Sequence, residues 1–285
     1  MTLIDLNQVT IANLMVHVRM NGGVIDQDMI RHMVVNSLRA YRTEFLKEYG
    51  ELVICTDAKN VWRKQSFPQY KANRKKSRKD DVHDWREIFN TMTLLREELI
   101  DVFPYKTIHV DTAEADDVIA TVIMYERNYK HNPEKIMIVS GDKDFVQLQR
   151  FPDVYQVSPT NKKSISEPNP EQKLKEHIIR GDRGDGIPNI MSDDDVFVSE
   201  RRQKRIFTKK VDEWINQDPE EFCDDFMIRN YRRNEKLIDL TKIPEQLQIK
   251  IIDAYNEKPR GGRDKLLSYF IKNRMRNMVE SIHEF

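Results

Sequence analysis

Four short apolar runs, separated by segments with helical spacing, restrict the possible folds of this chain more than any other feature. The runs are residues 3–4, 52–55, 107–110 and 136–139. Between them, apolar side chains recur at helical intervals over 30–45, 85–102 and 118–129, and Gly50 is a typical C-terminal helix cap. Short strands that alternate with helices in this way predict an α/β fold with a parallel sheet.

The strand pattern fades after about residue 170. Helical patterns follow near 171–180, 208–217, 244–256 and 264–282. We therefore predict a larger α/β domain over residues 1–170 and a smaller helical domain over residues 171–285. Residues 60–84 are highly charged and show no apolar periodicity, which predicts a mobile or partner-ordered segment there.

Acidic side chains follow every predicted strand. Asp5 closes the first strand and Asp57 follows the second. Seven more acids follow the later strands or lie in the loop 181–186, namely Glu114, Asp116, Asp117, Asp142, Asp144, Asp182 and Asp185. The carboxyl ends of parallel strands meet at one edge of the sheet, where open α/β sheets bind ligands. We therefore expect these nine carboxylates to converge.

Such a cluster would repel itself unless cations lie within it. Oxygen ligands without cysteine or histidine spacing favour Mg²⁺ or Mn²⁺, and an excess of acids favours two ions. Each aspartate alone could instead form a turn or cap a helix. The Asp-x-Asp at 142–144 could also mark an aspartyl-phosphate phosphatase. There the motif closes the first strand, whereas here it closes the fourth.

A basic segment lies beside these acids in the sequence. Residues 63–79 contain no acid and eight basic side chains, namely Arg63, Lys64, Lys71, Arg74, Lys75, Lys76, Arg78 and Lys79. The aromatic residues Trp62, Phe67 and Tyr70 are interleaved with them. Basic groups bind phosphates and aromatic rings stack on bases, so this mixture predicts an interface for single-stranded nucleic acid. A solvated charged loop is the alternative interpretation.

Composition and missing motifs exclude other classes of protein. The 47 basic and 47 acidic residues give a net charge of +0, which argues against a uniformly basic nucleic-acid coat. The sequence contains neither GxxxxGK[ST] nor GxGxxG, and its two cysteines are far apart. No apolar run is long enough to cross a bilayer, so we expect a cytoplasmic protein. The histidines show no ligand spacing and receive no predicted role.

Six motifs resemble those of the structure-specific 5′ nucleases, which include flap endonucleases and the 5′-nuclease domains of bacterial DNA polymerases. The motifs are LeuIleAsp at 3–5, Asp57, TyrLysAlaAsnArg at 70–74, GluAlaAspAsp at 114–117, SerGlyAspLysAspPhe at 140–145 and GlyAspArgGlyAspGlyIlePro at 181–188. The likeness is greatest to the ribonuclease H branch found in T-even bacteriophages. It spans nearly the whole chain and is weakest between about 190 and 230.

This resemblance implies a PIN-like, parallel-sheet nuclease domain, an arch over residues 60–84 and a helical domain that binds duplex DNA. It also implies two Mg²⁺ ions, for which Mn²⁺ can substitute. By resemblance, the ligands of the first ion are Asp5, Asp57, Glu114, Asp116 and Asp142, and those of the second are Asp144, Asp182 and Asp185, with Asp117 ambiguous. Lys71 and Arg74 match catalytic cations, and Tyr70 matches an aromatic residue that stacks on a displaced base. Arg63, Lys75 and Lys76 are expected to contact DNA.

The implied activity is that of a 5′→3′ exonuclease and flap endonuclease of ribonuclease H type. It would remove RNA primers and adjoining DNA from RNA–DNA hybrids, and from DNA duplexes with a 5′ end or flap, during lagging-strand replication. A monomer that meets a single-stranded-DNA-binding protein is expected. Two alternatives stay open, namely a PIN-like single-strand ribonuclease and a non-catalytic protein that binds branched DNA.

Two departures from the family pattern qualify the resemblance. In many relatives, the loop near 181–190 continues into a glycine-containing turn that holds a duplex phosphate with the help of K⁺. Here Asp193, Asp194 and Asp195 follow and would repel a phosphate, which argues against that K⁺ site. The first predicted strand begins near residue 3, which argues against an N-terminal contact with a sliding clamp.

Overall fold

A six-stranded sheet lies at the centre of the computed structural model, which describes residues 1–20, 25–74, 84–130 and 134–285. The strands are β1 (Thr2–Asp5), β2 (Leu52–Cys55), β3 (Lys106–Ile108), β4 (Ile136–Val139), β5 (Val154–Val157) and β6 (Ser164–Ile165). They lie in the order β3-β2-β1-β4-β5-β6. Strands β1 to β5 pair in parallel, and β6 pairs antiparallel with β5. The predicted α/β class is confirmed.

The central strands form because short apolar runs are buried on both faces of the sheet. All residues of β1, β2 and β4 are buried, as is typical of parallel strands covered by helices on both sides. Strands β2 and β4 have their predicted bounds, whereas β3 ends at Ile108 rather than at residue 110. Strands β5 and β6 were not predicted, because the exposed Tyr155 and the polar Gln156 interrupt the apolar run of β5.

Helices cover both faces of the sheet and form the C-terminal region. They are α1 (Leu6–Met20), α2 (Gln27–Tyr49), α3 (Trp62–Ser66), α4 (Trp85–Val102), α5 (Ala115–Tyr129), α6 (Pro170–Arg180), α7 (Thr208–Trp214), α8 (Pro219–Phe222), α9 (Asp225–Ile238), α10 (Glu245–Asn256), α11 (Arg263–Lys272) and α12 (Arg276–Glu280). Short 3₁₀ helices span Lys143–Arg150 and Ile282–Glu284. Among the described residues, no helix is both long and apolar enough to traverse a membrane.

Side-chain caps and a glycine define the ends of the longer helices. Asp26 accepts hydrogen bonds from two backbone N–H groups in the first turn of α2, and Asp84 does the same for α4. Gly50 ends α2 at its predicted position with φ of +86°, a conformation that favours glycine. Pro170 begins α6, where its missing N–H costs no hydrogen bond.

Three apolar cores divide the interior. Helices α1, α2, α4 and α11 pack on one face of the sheet, and α5 and α10 pack on the other. The third core joins α6, α7 and α9 to the residues around α3. The helical C-terminal region is thus confirmed, although its helices α10 and α11 return to the two faces of the sheet.

One helical prediction needed correction, and two helices were not predicted. The predicted helix over 264–282 is broken between α11 and α12, where Arg274 has a left-handed φ of 54°. Helix α1 follows β1 without a loop, so the sequence contains no turn or helix-start signal that would have predicted it. Helix α9 was missed because its sequence is strongly charged, although Met227 and Tyr231 lie buried on one face.

The structure places ordered elements in the first part of residues 60–84, for which a mobile or partner-ordered segment was predicted. Helix α3 lies there, and the side chains of Trp62, Phe67 and Tyr70 are buried in the sheet and C-terminal cores. The aromatic residues that suggested base stacking are therefore packing residues here. Residues 75–83, which include the predicted DNA contacts Lys75 and Lys76, lie outside the described residues.

Candidate functional site

The carboxyl ends of β1 and β2 carry two acids, of which Asp5 is buried and Asp57 is half-buried. Asp5 is the last residue of β1, Asp57 lies two residues beyond β2, and the two strands are parallel neighbours. Burial raises the pKa of Asp5 to about 7, and repulsion from Asp57 contributes to this shift. Burial also raises the pKa of Asp57. The fold therefore disfavours the charged form of both groups, and a bound cation would reverse that preference.

Hydrogen bonds orient these two carboxylates. Asp5 accepts a hydrogen bond from the Ser140 hydroxyl at 2.9 Å. Asp57 accepts one from the backbone N–H of Ala115 at 2.7 Å and another from the side-chain amide of Asn7. Asn7 and Ser140 were not predicted as site residues. Their signal in the sequence was their position within two residues of a strand end.

Two further acids complete this group. Burial raises the pKa of Asp116, in the first turn of α5, well above its ordinary value, and repulsion from Asp142 adds to the effect. Asp142 follows β4 and caps the 3₁₀ helix by accepting the backbone N–H of Asp144 at 3.0 Å. Within the described ranges, none of the four acids is ion-paired with a basic side chain. We call Asp5, Asp57, Asp116 and Asp142 the inner acids.

Glu114, by contrast, is held by two cations. Its carboxylate lies 2.9 Å from Nη1 of Arg63 and 2.6 Å from Nζ of Lys71, and it accepts a hydrogen bond from the Tyr70 hydroxyl at 3.0 Å. Burial opposes its charged form, but Lys71 and Arg63 outweigh burial and lower the pKa of Glu114 to about 2. Glu114 is therefore charged without any metal.

Asp117 is a structural acid in this arrangement. Its side chain accepts the backbone N–H of Glu114 at 2.9 Å and the indole N–H of Trp62 at 3.0 Å, and it lies 2.8 Å from Nη1 of Arg63. Together with Glu114 it forms the capping box of α5. One of its oxygens accepts both hydrogen bonds and the other pairs with Arg63, in a fully buried position, which differs from the predicted metal-ligand role.

The predicted DNA contacts by Arg63 and Tyr70 also need correction. Arg63 is 2% exposed, and its Nε donates to the carbonyl oxygen of Leu237 at 2.8 Å. Tyr70 is also 2% exposed, and its hydroxyl lies 2.9 Å from a carboxylate oxygen of Asp185. Neither side chain has a free surface for nucleic acid. They hold acids in place instead.

Residues 70–74 dock on the loop 181–186. The backbone N–H of Lys71 donates to the carbonyl oxygen of Asp185 at 2.7 Å, and the Arg74 guanidinium donates to that of Gly184 at 3.1 Å and to the Asp185 carboxylate. Gly186 has φ of +72°, and a Cβ there would lie 3.0 Å from the carbonyl oxygen of Gln69. Glycine is therefore needed at this close approach. The docking places both predicted catalytic cations beside the acids.

The last acids gather around one histidine. Asp182 lies 2.8 Å from Nζ of Lys143 and 3.0 Å from Nε2 of His177. Burial opposes its charged form, but these two groups lower the pKa of Asp182. Burial, with repulsion from Asp142, raises the pKa of Asp144 to about 7. We call Glu114, Asp117, Asp182 and Asp185 the paired acids, because each lies within ion-pair distance of a basic side chain.

The acids at 193–195 are neutralised rather than free. Arg201 pairs with both Asp193 and Asp195, and Asp194 pairs with two arginines of α9, Arg229 and Arg233. The expectation that these acids repel a phosphate rested on uncompensated charge, and the structure removes that premise. The absence of a K⁺ site near 181–190 stays a prediction.

The donor set fits divalent cations. The inner acids offer hard oxygen ligands that form no ion pair with a described side chain, and Oδ1 of Asp144 is buried without a hydrogen bond from the described protein. Among the described residues, one group of side chains has ligand atoms close enough together to hold an ion, namely Asp144, His177 and Asp182. Ligand atoms of Asp144, His177 and Asp182 all lie within 4.8 Å of one another.

Two family models together span most of the chain. Residues 19–177 match the model described as the 5'-3' exonuclease, N-terminal resolvase-like domain. Residues 168–285 match the model described as T4 RNase H, C terminal. The match to the first model covers the strand ends that carry most of the acids, and the match to the second covers the GDRGDG loop and the helices after it.

Individual proteins agree with this result. The chain is 30% identical to the ribonuclease H of Enterobacteria phage T4, over 99% of this chain and 95% of that protein. It is 34% identical to the flap endonuclease Xni of a Shewanella species, over 45% of this chain and 48% of that protein. A solved structure of the bacteriophage T5 D15 flap endonuclease, a pseudo-enzyme–product complex with DNA and metal ions, has a TM-score of 0.64 at 16% identity. That match covers 90% of this chain and 99% of the T5 chain.

Proposed function

Because this chain belongs to the 5′-3′ exonuclease family and carries a C-terminal domain of the T4 RNase H type, we propose that it is a Mg²⁺-dependent 5′→3′ exonuclease and flap endonuclease. The chain is a nuclease, and its reaction is the hydrolysis of phosphodiester bonds. We propose that its task is to remove RNA primers and adjoining DNA during lagging-strand replication. The observation that supports the metal requirement most strongly is the group of inner acids, which are buried or half-buried and form no ion pair in the described structure.

The inner acids would hold one Mg²⁺, and Asp144, Asp182 and Asp185 would contribute to a second site. Bound there, the two ions would make a water molecule acidic enough to attack phosphorus near neutral pH and would neutralise charge on the leaving 3′ oxygen. Ser140 and Asn7 keep two inner carboxylates in fixed orientations by hydrogen bonds. No protein nucleophile is required.

Lys71 and Arg74 would act on the substrate phosphate directly. The ammonium of Lys71 is only 18% exposed and is held 2.6 Å from Glu114, so it lies at the rim of the acid cluster in a fixed position. Burial opposes its charge, but Glu114 and Asp185 outweigh burial and raise its pKa, which keeps it protonated. A fixed cation beside the reacting group stabilises the negative charge that grows on phosphorus oxygens in the transition state.

The substrates that we propose are RNA–DNA hybrids and DNA duplexes with a 5′ end or flap. The names of the phage T4 and Shewanella relatives, and the DNA in the T5 complex, support this choice. Residues 171–285 would bind the duplex, and Lys75 and Lys76 would bind backbone phosphates ahead of the cleavage site. We further propose that the protein acts as a monomer and meets a single-stranded-DNA-binding protein at the replication fork.

Product mapping tests this function. Wild type and Asp142→Asn would be given a 5′-flap substrate and a nicked RNA–DNA hybrid, each labelled, with Mg²⁺ or with EDTA. We expect wild type to release short 5′ products from both substrates only with Mg²⁺, and we expect Asp142→Asn to release almost none. An Asp101→Asn variant, changed at an exposed position on α4, is the matched control. Equal cleavage by Asp142→Asn and wild type would refute the proposed site, and cleavage of single strands alone would favour a PIN-like ribonuclease.

A further inference from the structure

His177 lies between two of the acids at the second candidate metal site. It belongs to α6, which packs against the 3₁₀ helix Lys143–Arg150 that begins beside Asp144. Its ring Nε2 is 3.0 Å from Oδ2 of Asp182, and its Nδ1 is 3.5 Å from Oδ1 of Asp144. The imidazole therefore faces a carboxylate on each side.

The two sides of the ring differ. The Nε2 side makes a hydrogen bond of ordinary length to Asp182, whose other oxygen accepts the backbone N–H groups of Gly184 at 2.7 Å and Asp185 at 3.2 Å. On the Nδ1 side the distance of 3.5 Å is too long for a good hydrogen bond. Oδ1 of Asp144 is buried and accepts no hydrogen bond from the described protein. A buried carboxylate oxygen without a partner is costly unless something else occupies that space.

These contacts determine which nitrogen is available to an ion. With Nε2 protonated and donating to Asp182, Nδ1 carries the lone pair and points toward Asp144. Histidines that bind metals almost always donate their other ring N–H to a carboxylate or carbonyl, which orients the ring. Lys143 neutralises Asp182 at 2.8 Å, so that this acid can orient His177 without carrying an uncompensated charge.

We propose that His177 Nδ1 and Asp144 Oδ1 bind one divalent transition-metal ion together, so that the second metal site of this nuclease is a mixed nitrogen–oxygen site. This inference rests on the proposed function only in treating Asp144 as a ligand of the second ion. The geometry fits, because two ligand atoms about 2.1 Å from one ion lie about 3.0–3.5 Å apart. The observed separation of 3.5 Å lies at the end of that range.

A nitrogen ligand changes which metal the site favours. Mg²⁺ prefers oxygen ligands and retains its waters, whereas imidazole suits transition metals such as Zn²⁺, Fe²⁺ and Ni²⁺, and the affinity of a given nitrogen–oxygen site rises from Mn²⁺ to Co²⁺ and Ni²⁺. The inner acids offer only oxygen, so the two sites of this chain would differ in selectivity. The first would favour Mg²⁺, and the second would bind Mn²⁺ or Co²⁺ more tightly than Mg²⁺.

Pulsed electron paramagnetic resonance of Mn²⁺ bound to the full chain, without DNA, tests this inference. The variants are His177→Gln, which removes the nitrogen, and His283→Gln, which changes an exposed histidine in the C-terminal 3₁₀ helix. We expect nitrogen modulation from a directly bound imidazole in wild type and in His283→Gln, and none in His177→Gln. Titration with Mn²⁺ should show a loss of affinity of about tenfold or more at one site of His177→Gln.

The wild-type spectrum alone tests whether a histidine nitrogen binds Mn²⁺, even if His177→Gln folds poorly. An absence of nitrogen modulation from wild-type protein loaded with Mn²⁺ would overturn the proposal, as would its persistence in folded His177→Gln. Cleavage of the flap substrate with Mg²⁺ in the same preparations reports on the proposed function separately. Cleavage without nitrogen modulation refutes only the histidine ligand, and modulation without cleavage refutes only the proposed function.

Discussion

The inner acids and the paired acids share one edge of the sheet but differ in what neutralises them. In the inner group, Asp5 and Asp116 have raised pKa values because burial and repulsion from neighbouring acids disfavour their charge. In the paired group, Glu114 and Asp182 have lowered pKa values because adjacent cations outweigh burial. The four paired acids thus have basic partners within the protein, whereas the four inner acids form no ion pair with a described side chain.

This difference separates the roles of side chains that look alike in the sequence. Asp116 and Asp117 are consecutive, yet the first belongs to the inner acids and the second caps α5 and holds Arg63 and Trp62. An acidic motif alone therefore does not identify the metal ligands. The cation that each acid already holds in the folded protein is the more informative property.

Substitution of the consecutive acids Asp116 and Asp117 tests the difference between inner and paired acids most strongly. Asp116→Asn should lower kcat for flap cleavage by about 10³-fold, because a lost metal ligand removes several kcal/mol of transition-state stabilisation. Its melting temperature without metal should stay level or rise. Asp117→Asn should instead lower the melting temperature markedly, because it breaks a buried ion pair and a capping box.

Steady-state kinetics and thermal melts of both variants check this prediction. Similar kinetic losses in two equally stable variants would show that the division into inner and paired acids is wrong at α5.

Removal of Arg63, the cation shared by two paired acids, should have the next largest effect, a loss of folding stability. Arg63→Met leaves Glu114 and Asp117 buried without their guanidinium and should cost about 3–5 kcal/mol of unfolding free energy. Denaturant unfolding measures this change. Arg201→Met, whose ion pairs lie on the surface, is the matched control and should unfold close to wild type. An Arg63→Met protein of wild-type stability that binds DNA weakly would restore the original DNA-contact prediction for Arg63.

Lys71 links the two groups, because it holds a paired acid at the rim of the inner acids. Lys71→Ala should lower kcat about 100-fold and leave KM nearly unchanged, since its charge acts on the transition state.

Lys75→Ala should weaken DNA binding and reduce the slope of log K against log salt by about one. Lys135→Ala, at the opposite end of β4, is the control. If Lys71→Ala altered only KM, the proposed catalytic role of Lys71 would be wrong.

The smallest effect concerns the stability of the metal-free protein. The folded-state pKa of Asp5 is about 7, above the unfolded value of about 3.9, so its contribution to stability is complete below pH 4 and is lost as pH rises through 7. Asp5→Asn should therefore stabilise the metal-free protein by roughly 1–3 kcal/mol at pH 8 and very little at pH 4.

The contribution of Glu114 to stability has the opposite pH dependence. Because its pKa is lowered in the folded protein, Glu114 stabilises the fold above pH 4, and this contribution is lost as the pH falls toward 2. Thermal melts in EDTA at pH 4 and pH 8, repeated with Mg²⁺, measure these contributions. Mg²⁺ should stabilise wild type more than Asp5→Asn at pH 8. An equal gain in both proteins would remove Asp5 from the metal site.

Much of the fold was predictable, because apolar runs and caps are local signals. The strands at 52–55 and 136–139 and the helix Trp85–Val102 have their predicted bounds, because the apolar residues that define each element are close neighbours in the chain. The strand at 154–157 was missed because it completes the sheet through pairing with Ile136–Val139, which no local pattern reports.

For the site, the sequence indicated which acids reach the edge of the sheet but not what each one contacts. Arg63 and Tyr70 looked like nucleic-acid contacts because basic and aromatic residues alternate there, whereas tertiary packing turns both inward. His177 gave no signal, because its approach to Asp144 depends on how α6 packs on the 3₁₀ helix. Long-range packing, rather than residue type, decided these roles.

Anomalous diffraction from crystals of the full chain soaked in Mn²⁺ tests the central claim most directly. We predict two peaks, one among Asp5, Asp57 and Asp116 and the other beside Asp144, and the loss of the first peak in Asp116→Asn. A single peak coordinated by Glu114 and Asp117, or no peak near the inner acids, would contradict the account.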